Sequence, residues 1–129
     1  MIGGDISADQ VPLIDHSKLD AVKELAEPGD ADGFFKDLVE LFFSRVPILI
    51  GEMVDATAKG DPIAVSKSAH TLKGTAGNLG AIRVMKIAEL LEHLGRAGKL
   101  ETVPQLLSEI QFAFALSKVE LENNMTIPM

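Results

Sequence analysis

The sequence predicts an all-α protein, an antiparallel up-and-down four-helix bundle with a short extra helix at its N-terminal end. Three observations predict it. Glycines and prolines fall in clusters that cut the 129 residues into helix-length pieces. Apolar residues inside those pieces recur at spacings of three and four, and no piece sustains the period-two alternation of a strand. The length suits one domain, and 47% apolar against 24% charged residues is enough to offset the conformational entropy of a single core.

After a polar start, Ser17 to Ala26 carries Leu19, Val22 and Leu25 as a short amphipathic helix, stopped by Glu27-Pro28-Gly29. The next helix is expected from Asp32, as its N-cap, to Lys59, with Phe35, Leu38, Val39, Phe42, Val46, Leu49 and Met53 on its core side. Pro47 cannot donate its backbone hydrogen bond there, so this helix should bend, or else divide into two. Gly60-Asp61-Pro62 then ends one helix, caps the next and fills the first-turn position where a missing N–H costs nothing. A third helix from Pro62 to Leu79 should stop at a left-handed Gly80. A fourth should run from Ala81 to about Ala97, ended by Gly95 and Gly98. Thr102-Val103-Pro104-Gln105 reads as a capping box that opens a last helix to about Glu122. Short links force neighbouring helices antiparallel, and four of them close one core. The expected organisation is a flexible leader over residues 1–14, the bundle over 15–122 and a tail over 123–129.

Composition excludes several functions. Twelve Lys and Arg against 19 Asp and Glu leave a net charge of −7, which works against a nonspecific grip on nucleic acid or an anionic membrane. The longest stretch without a charged residue, Gly74 to Ile82, is far too short to span a bilayer. The opening MIGGDISADQ has neither a basic nor an apolar signal region, so the cytoplasm is the expected location. Without cysteine there is no disulfide, thiol nucleophile or Cys-ligated metal.

Some suggestive motifs fail on spacing. Gly74-Thr75-Ala76-Gly77-Asn78-Leu79-Gly80 is not a dinucleotide fingerprint and follows no strand, and Gly95-Arg96-Ala97-Gly98-Lys99-Leu100 lacks the spacing of a phosphate loop. Asp30-Ala31-Asp32-Gly33 cannot be a calcium loop, because Pro28 and Val39 would fill ligand positions. The residues three before His16, His70 and His93 are Leu13, Lys67 and Leu90, so no Glu-x-x-His metal pair exists. No metal and no cofactor is expected on this chain.

The third helix does carry chemistry. At about 100° per residue, Val65, Ala69, Leu72, Ala76 and Leu79 fall within about 40° of one line and form a core stripe. His70 lies about 140° from that line, with Ser66, Lys73, Gly74 and Gly77 at about 80–180°. A histidine facing water is ordinary by itself. Two glycines on a non-core face are not, because each costs about 0.5–1 kcal/mol relative to alanine. An exposed His, a cation one turn later and a face without side chains point to a nucleophile that a large partner must approach closely. Ile63, two turns before His70 on nearly the same line, is an apolar residue placed for a partner to cover. Phe34, Leu41 and Ile48 on the second helix could extend that patch or seat the first helix.

The run Ala69-His70-Thr71-Leu72-Lys73-Gly74-Thr75-Ala76-Gly77-Asn78-Leu79-Gly80-Ala81 resembles the active helix of histidine-containing phosphotransfer (HPt) domains, with their His-x-Leu-Lys-Gly signature and Leu-Gly-Ala turn. The likeness extends through Leu91-Glu92, and a bundle of that family would account for about residues 15 to 122. It implies that His70 carries a phosphoryl group, Lys73 steadies its charge and Gly74 leaves room for the partner. On that reading the protein is a phosphorelay carrier rather than an enzyme. It would take the group from the aspartyl phosphate of one receiver domain, in a response regulator or hybrid sensor kinase, and give it to another, with Mg²⁺ on the partner. Glu92 is a candidate for orienting the ring, and Ile63, Ser66 and Gly77 for partner binding, in a monomer. The alternative is a bundle that binds a receiver domain or kinase without chemistry. A hydrolase using Ser66 and His70 ranks last, since an exposed helix face is not a pocket.

Overall fold

In the computed structural model, the described residues are 11–24 and 31–125. They form five helices, α1 (His16–Glu24), α2 (Ala31–Ala58), α3 (Pro62–Leu79), α4 (Ile82–Ala97) and α5 (Val103–Met125), and no strand. Each of α2 to α5 packs against the next, and α5 closes the ring on α2, which makes the expected four-helix bundle. α1 lies across α2 and α3, and its Leu19 is fully buried there. The core is built from the expected stripes. Val39, Phe42, Val46 and Met53 of α2 meet Val65 and Leu72 of α3, Ile87 and Leu91 of α4, and Ile110 and Leu121 of α5. Phe114 packs edge-on to Phe42, with ring centroids 5.4 Å apart.

The helix ends follow from local chemistry. Asp61 Oδ1 accepts the N–H of Ala64 at 3.1 Å, and Pro62 follows it in the first turn. Gly80, at φ 82°, takes the left-handed conformation that closes α3, and the N–H of Ala81 bonds to the carbonyl of Ala76 at 2.9 Å. α2 is one continuous helix through Pro47 rather than two. Val46, Leu49 and Ile50, on both sides of the proline, all bury against the same core, and that packing outweighs one lost backbone bond. The helix starts at Ala31, so Asp32 stands in its first turn instead of capping it. The turn residues Glu27-Pro28-Gly29 lie outside the described residues. At α5 the turn is held by backbone bonds, Val103 N–H to Leu100 O and Leu106 N–H to Thr102 O, both 3.2 Å; the side-chain bonds of a Thr102–Gln105 capping box are not among those found.

Two boundaries differ from expectation. The leader does not end at residue 14 as a free segment, because Ile14 is buried and Leu13 packs on the core. Arg83 Nε donates to the carbonyl of Val11 at 2.7 Å, and the Asp15 N–H to that of Gly80 at 2.8 Å, which ties this segment to the α3–α4 turn. α5 continues to Met125, beyond the expected start of the tail.

Gly95 is the third difference. It does not end α4, which runs on to Ala97 and stops at a left-handed Gly98. A Cβ at Gly95 would stand 2.7 Å from the carbonyl oxygen of Pro62 and 2.7 Å from the nitrogen of Ser66. Here the backbones of α3 and α4 touch, and only a residue without a side chain permits it.

Candidate functional site

The contact at Gly95 sets what lies one turn along. Because α3 and α4 run antiparallel with Gly95 against Ser66, Glu92 on α4 is brought level with His70 on α3. The His70 side chain is 65% exposed and the Glu92 side chain 2%. The Nδ1 of His70 lies 2.8 Å from Glu92 Oε2. The same oxygen accepts from an Arg96 guanidinium nitrogen at 2.7 Å, and Lys73 Nζ holds the other oxygen, Oε1, at 2.7 Å. One buried carboxylate thus collects three donors, two from α3 and one from its own helix.

The electrostatics follow from that arrangement. The hydrogen bond from Lys73, aided by that from His70 and the charges of Arg96 and Lys73, outweighs the burial and lowers the Glu92 carboxyl from 4.5 to about 2. An ionised carboxylate can only accept, so Nδ1 of His70 carries the hydrogen of the shared bond. When neutral, the ring has its lone pair on Nε2, the nitrogen not engaged with Glu92. The site therefore presents an oriented, exposed imidazole, backed by a fixed anion and flanked by two cations.

The expected residues separate on the structure. His70, Lys73 and Glu92 come together, with Lys73 ion-paired to Glu92. Gly74 faces open space, with nothing within 4 Å of where a Cβ would be. Ser66 lines a depression beside the ring with Lys67, Thr71, Glu92 and Arg96. Ile63 is 67% exposed and uncovered by α1. Gly77 is half-buried beside α4. A Cβ there would lie 3.1 Å from Met85 Sδ, so its bare backbone leaves room for that side chain of α4. Of the second line on α2, Leu41 and Ile48 are exposed, whereas Phe34 is half-buried against the core. Ile48, with Arg45 and Glu52, lines a groove next to the depression, and the two share Lys67 and Thr71. His16 pairs with Glu120 at 3.3 Å, and His93 is exposed without such partners.

Arg96 was not among the sequence candidates. The signal that could have found it is its place four residues after Glu92, where a helix brings opposite charges together. Among the described residues, no group of three or more His, Asp or Glu could hold a metal ion, and no helix is long and apolar enough to cross a membrane.

A family model described as Hpt domain matches residues 37–125. The chain is 30% identical over 97 residues to Multistep phosphorelay regulator 1 of Schizosaccharomyces pombe, covering 75% of this chain and 32% of that protein. It is 28% identical over 105 residues to Histidine-containing phosphotransfer protein 2 of Arabidopsis thaliana, covering 79% and 67%. The chain thus spans about a third of the first relative's length and two thirds of the second's. The crystal structure of histidine-containing phosphotransfer protein B from Pseudomonas aeruginosa has the same fold, with a TM-score of 0.75 at 23% identity over 89% of this chain and 96% of that one.

Proposed function

This chain belongs to the Hpt domain family, and from that premise we propose that it is a phosphorelay carrier that receives a phosphoryl group on Nε2 of His70 from a receiver-domain aspartyl phosphate and passes it to the Asp of another receiver. The observation that carries this reading is the ring itself: mostly exposed, with Nδ1 held by a buried carboxylate and Nε2 left as the nucleophile. Lys73 and Arg96 supply positive charge for the transferring oxygens, and Gly74 opens the approach. Ile63, Ser66 and the neighbouring groove would meet the partner, whose own site would hold the Mg²⁺. The protein would act as a monomer in the cytoplasm, as carrier rather than enzyme, without nucleic acid or membrane as partner. Incubation with a panel of radiolabelled, phosphorylated receiver domains tests the reading. Label should pass to this protein from at least one of them, and transfer from none would leave a binding module without chemistry.

Two substitutions probe the roles of neighbours. Lys73→Ala should slow transfer on the order of 10- to 100-fold, by removing a cation from the transferring group. It should also cost about 1–2 kcal/mol of stability, more than an ordinary surface lysine, because Glu92 loses a close partner while keeping Arg96. Melting curves and transfer rates separate the two effects, and an unchanged rate removes Lys73 from the mechanism.

Gly74→Gln should yield a bundle at least as stable as wild type, since the space is open and glutamine exceeds glycine in helix propensity by about 0.5–1 kcal/mol. The new side chain would stand beside His70 and slow transfer on the order of 10- to 100-fold. Ile63→Asp should weaken receiver binding more mildly. A Gly74→Gln protein that relays at the wild-type rate would show that partners dock elsewhere.

A further inference from the structure

His70 is bonded to a full negative charge, where a neutral acceptor would have oriented the ring equally well. That charge matters most after phosphorylation. In the uptake step, the Nε2 lone pair forms the N–P bond while the P–O bond to the donor's aspartate breaks, and that oxygen leaves as a carboxylate. The hydrogen stays on Nδ1, so the ring becomes a phosphoryl imidazolium with one positive charge. In the onward step, an acceptor carboxylate forms the new O–P bond, the N–P bond breaks, and its electron pair returns to Nε2. The departing group is then neutral imidazole, still protonated at Nδ1. Had the phosphorylated ring lost that hydrogen, the same step would have to expel an imidazolate anion, a far poorer leaving group.

We propose that Glu92 is the positioning residue that keeps the Nδ1 hydrogen on the phosphorylated ring, so that His70 stays a good leaving group at neutral pH and the relay runs onward without a separate proton donor. The inference rests on the reading of His70 as the carrier. A carboxylate 2.8 Å from Nδ1 stabilises the cationic ring by charge as well as by the hydrogen bond. Lys73 and Arg96 keep Glu92 ionised, so it holds the hydrogen without removing it. The remaining charges around the ring oppose a cationic ring or lie apart. Lys67 of α3 lines the same depression, Arg45 and Glu52 of α2 belong to the adjoining groove, and Lys18 of α1 sits at Gly80, at the far end of α3. Glu92 is thus the one negative charge in contact with the ring among the described residues. With a dianionic phosphoryl group on a cationic ring, the charges of Lys73, Arg96 and Glu92 bring the whole site to neutrality.

Phosphoramidate, a small-molecule donor, can load His70 without a partner, and loss of the group to water then reports how readily the ring leaves. In the wild type this loss should stay constant through neutral pH and slow only in the alkaline range. Glu92→Gln keeps an acceptor oxygen for Nδ1 but no charge. Its rate–pH profile should move to lower pH by about one unit or more, making loss at mildly alkaline pH roughly tenfold slower. A merely structural role would lower the melting temperature or the extent of loading and leave the midpoint of the profile in place, and that result overturns the proposal. The nitrogen chemical shifts of the loaded wild-type ring give a second measurement that needs no variant. Nδ1 protonated at neutral pH is expected, and Nδ1 unprotonated overturns the proposal. Wild-type protein that cannot be loaded on His70 at all would instead refute the carrier reading, and this inference with it.

Discussion

A His70→Gln protein is expected to take up no phosphoryl group from any donor that labels the wild type, the largest functional effect of any single substitution here. The label on the wild type should be lost in acid and kept in base, as a phosphorus–nitrogen bond requires. Neither of the other histidines can substitute. His16 is paired with Glu120 across the gap between α1 and α5, and His93 has no Lys three residues on and no Gly four residues on. The change should leave the fold intact, because the ring is mostly exposed and Glu92 retains Lys73 and Arg96 as partners. Gel autoradiography after incubation with a labelled donor reads the result, and wild-type labelling of His70→Gln would sink the assignment.

The largest structural effect is expected at Gly95. Alanine favours helix over glycine by about 0.5–1 kcal/mol, so on an open surface Gly→Ala would stabilise. Here the added methyl meets backbone atoms of Pro62 and Ser66 at 2.7 Å, and backbone cannot rotate away as a side chain can. α3 and α4 must separate, at a net cost of about 1–3 kcal/mol. For a chain of this size that is a drop in melting temperature of about 4 °C per kcal/mol. The separation would also draw Glu92 away from His70, so transfer should fall together with stability. A Gly95→Ala protein that melts at or above the wild-type temperature would show that the two helices are not in backbone contact.

Much of this architecture was legible because it is encoded locally. Asp61-Pro62 and the left-handed Gly60, Gly80 and Gly98 mark helix ends through the conformation of single residues, and those marks need no knowledge of the partner helix. The five buried residues of α3 are the five of its predicted stripe. His70, Lys73 and Gly74 are likewise neighbours on one helix, so their grouping could be read from spacing alone. Residues whose meaning depends on another helix could not be placed from spacing alone. Helical angles place Gly77 on a non-core face, but only the course of α4 shows that Met85 occupies the space beside it. Gly95 has the composition of a helix stop and the role of a contact. The pairing of Glu92 with His70, across 22 positions in sequence, exists only once α3 and α4 are packed, and Arg96 gains its role through Glu92.

The segment before α2 shows that the folding unit extends beyond the stretch that the family model matches. The family model matches from residue 37, whereas among the described residues the buried interior begins at Ile14 and includes Leu19, Val22 and Phe35. What α1 contributes is apolar area over the seam between α2 and α3, worth about 25 cal/mol per Å², and many combinations of side chains can provide such area. The site at His70 tolerates no such freedom, since Nδ1 of His70 and both carboxylate oxygens of Glu92 have particular partners. One chain thus holds two kinds of constraint, one met by any suitable covering and one met only by particular residues.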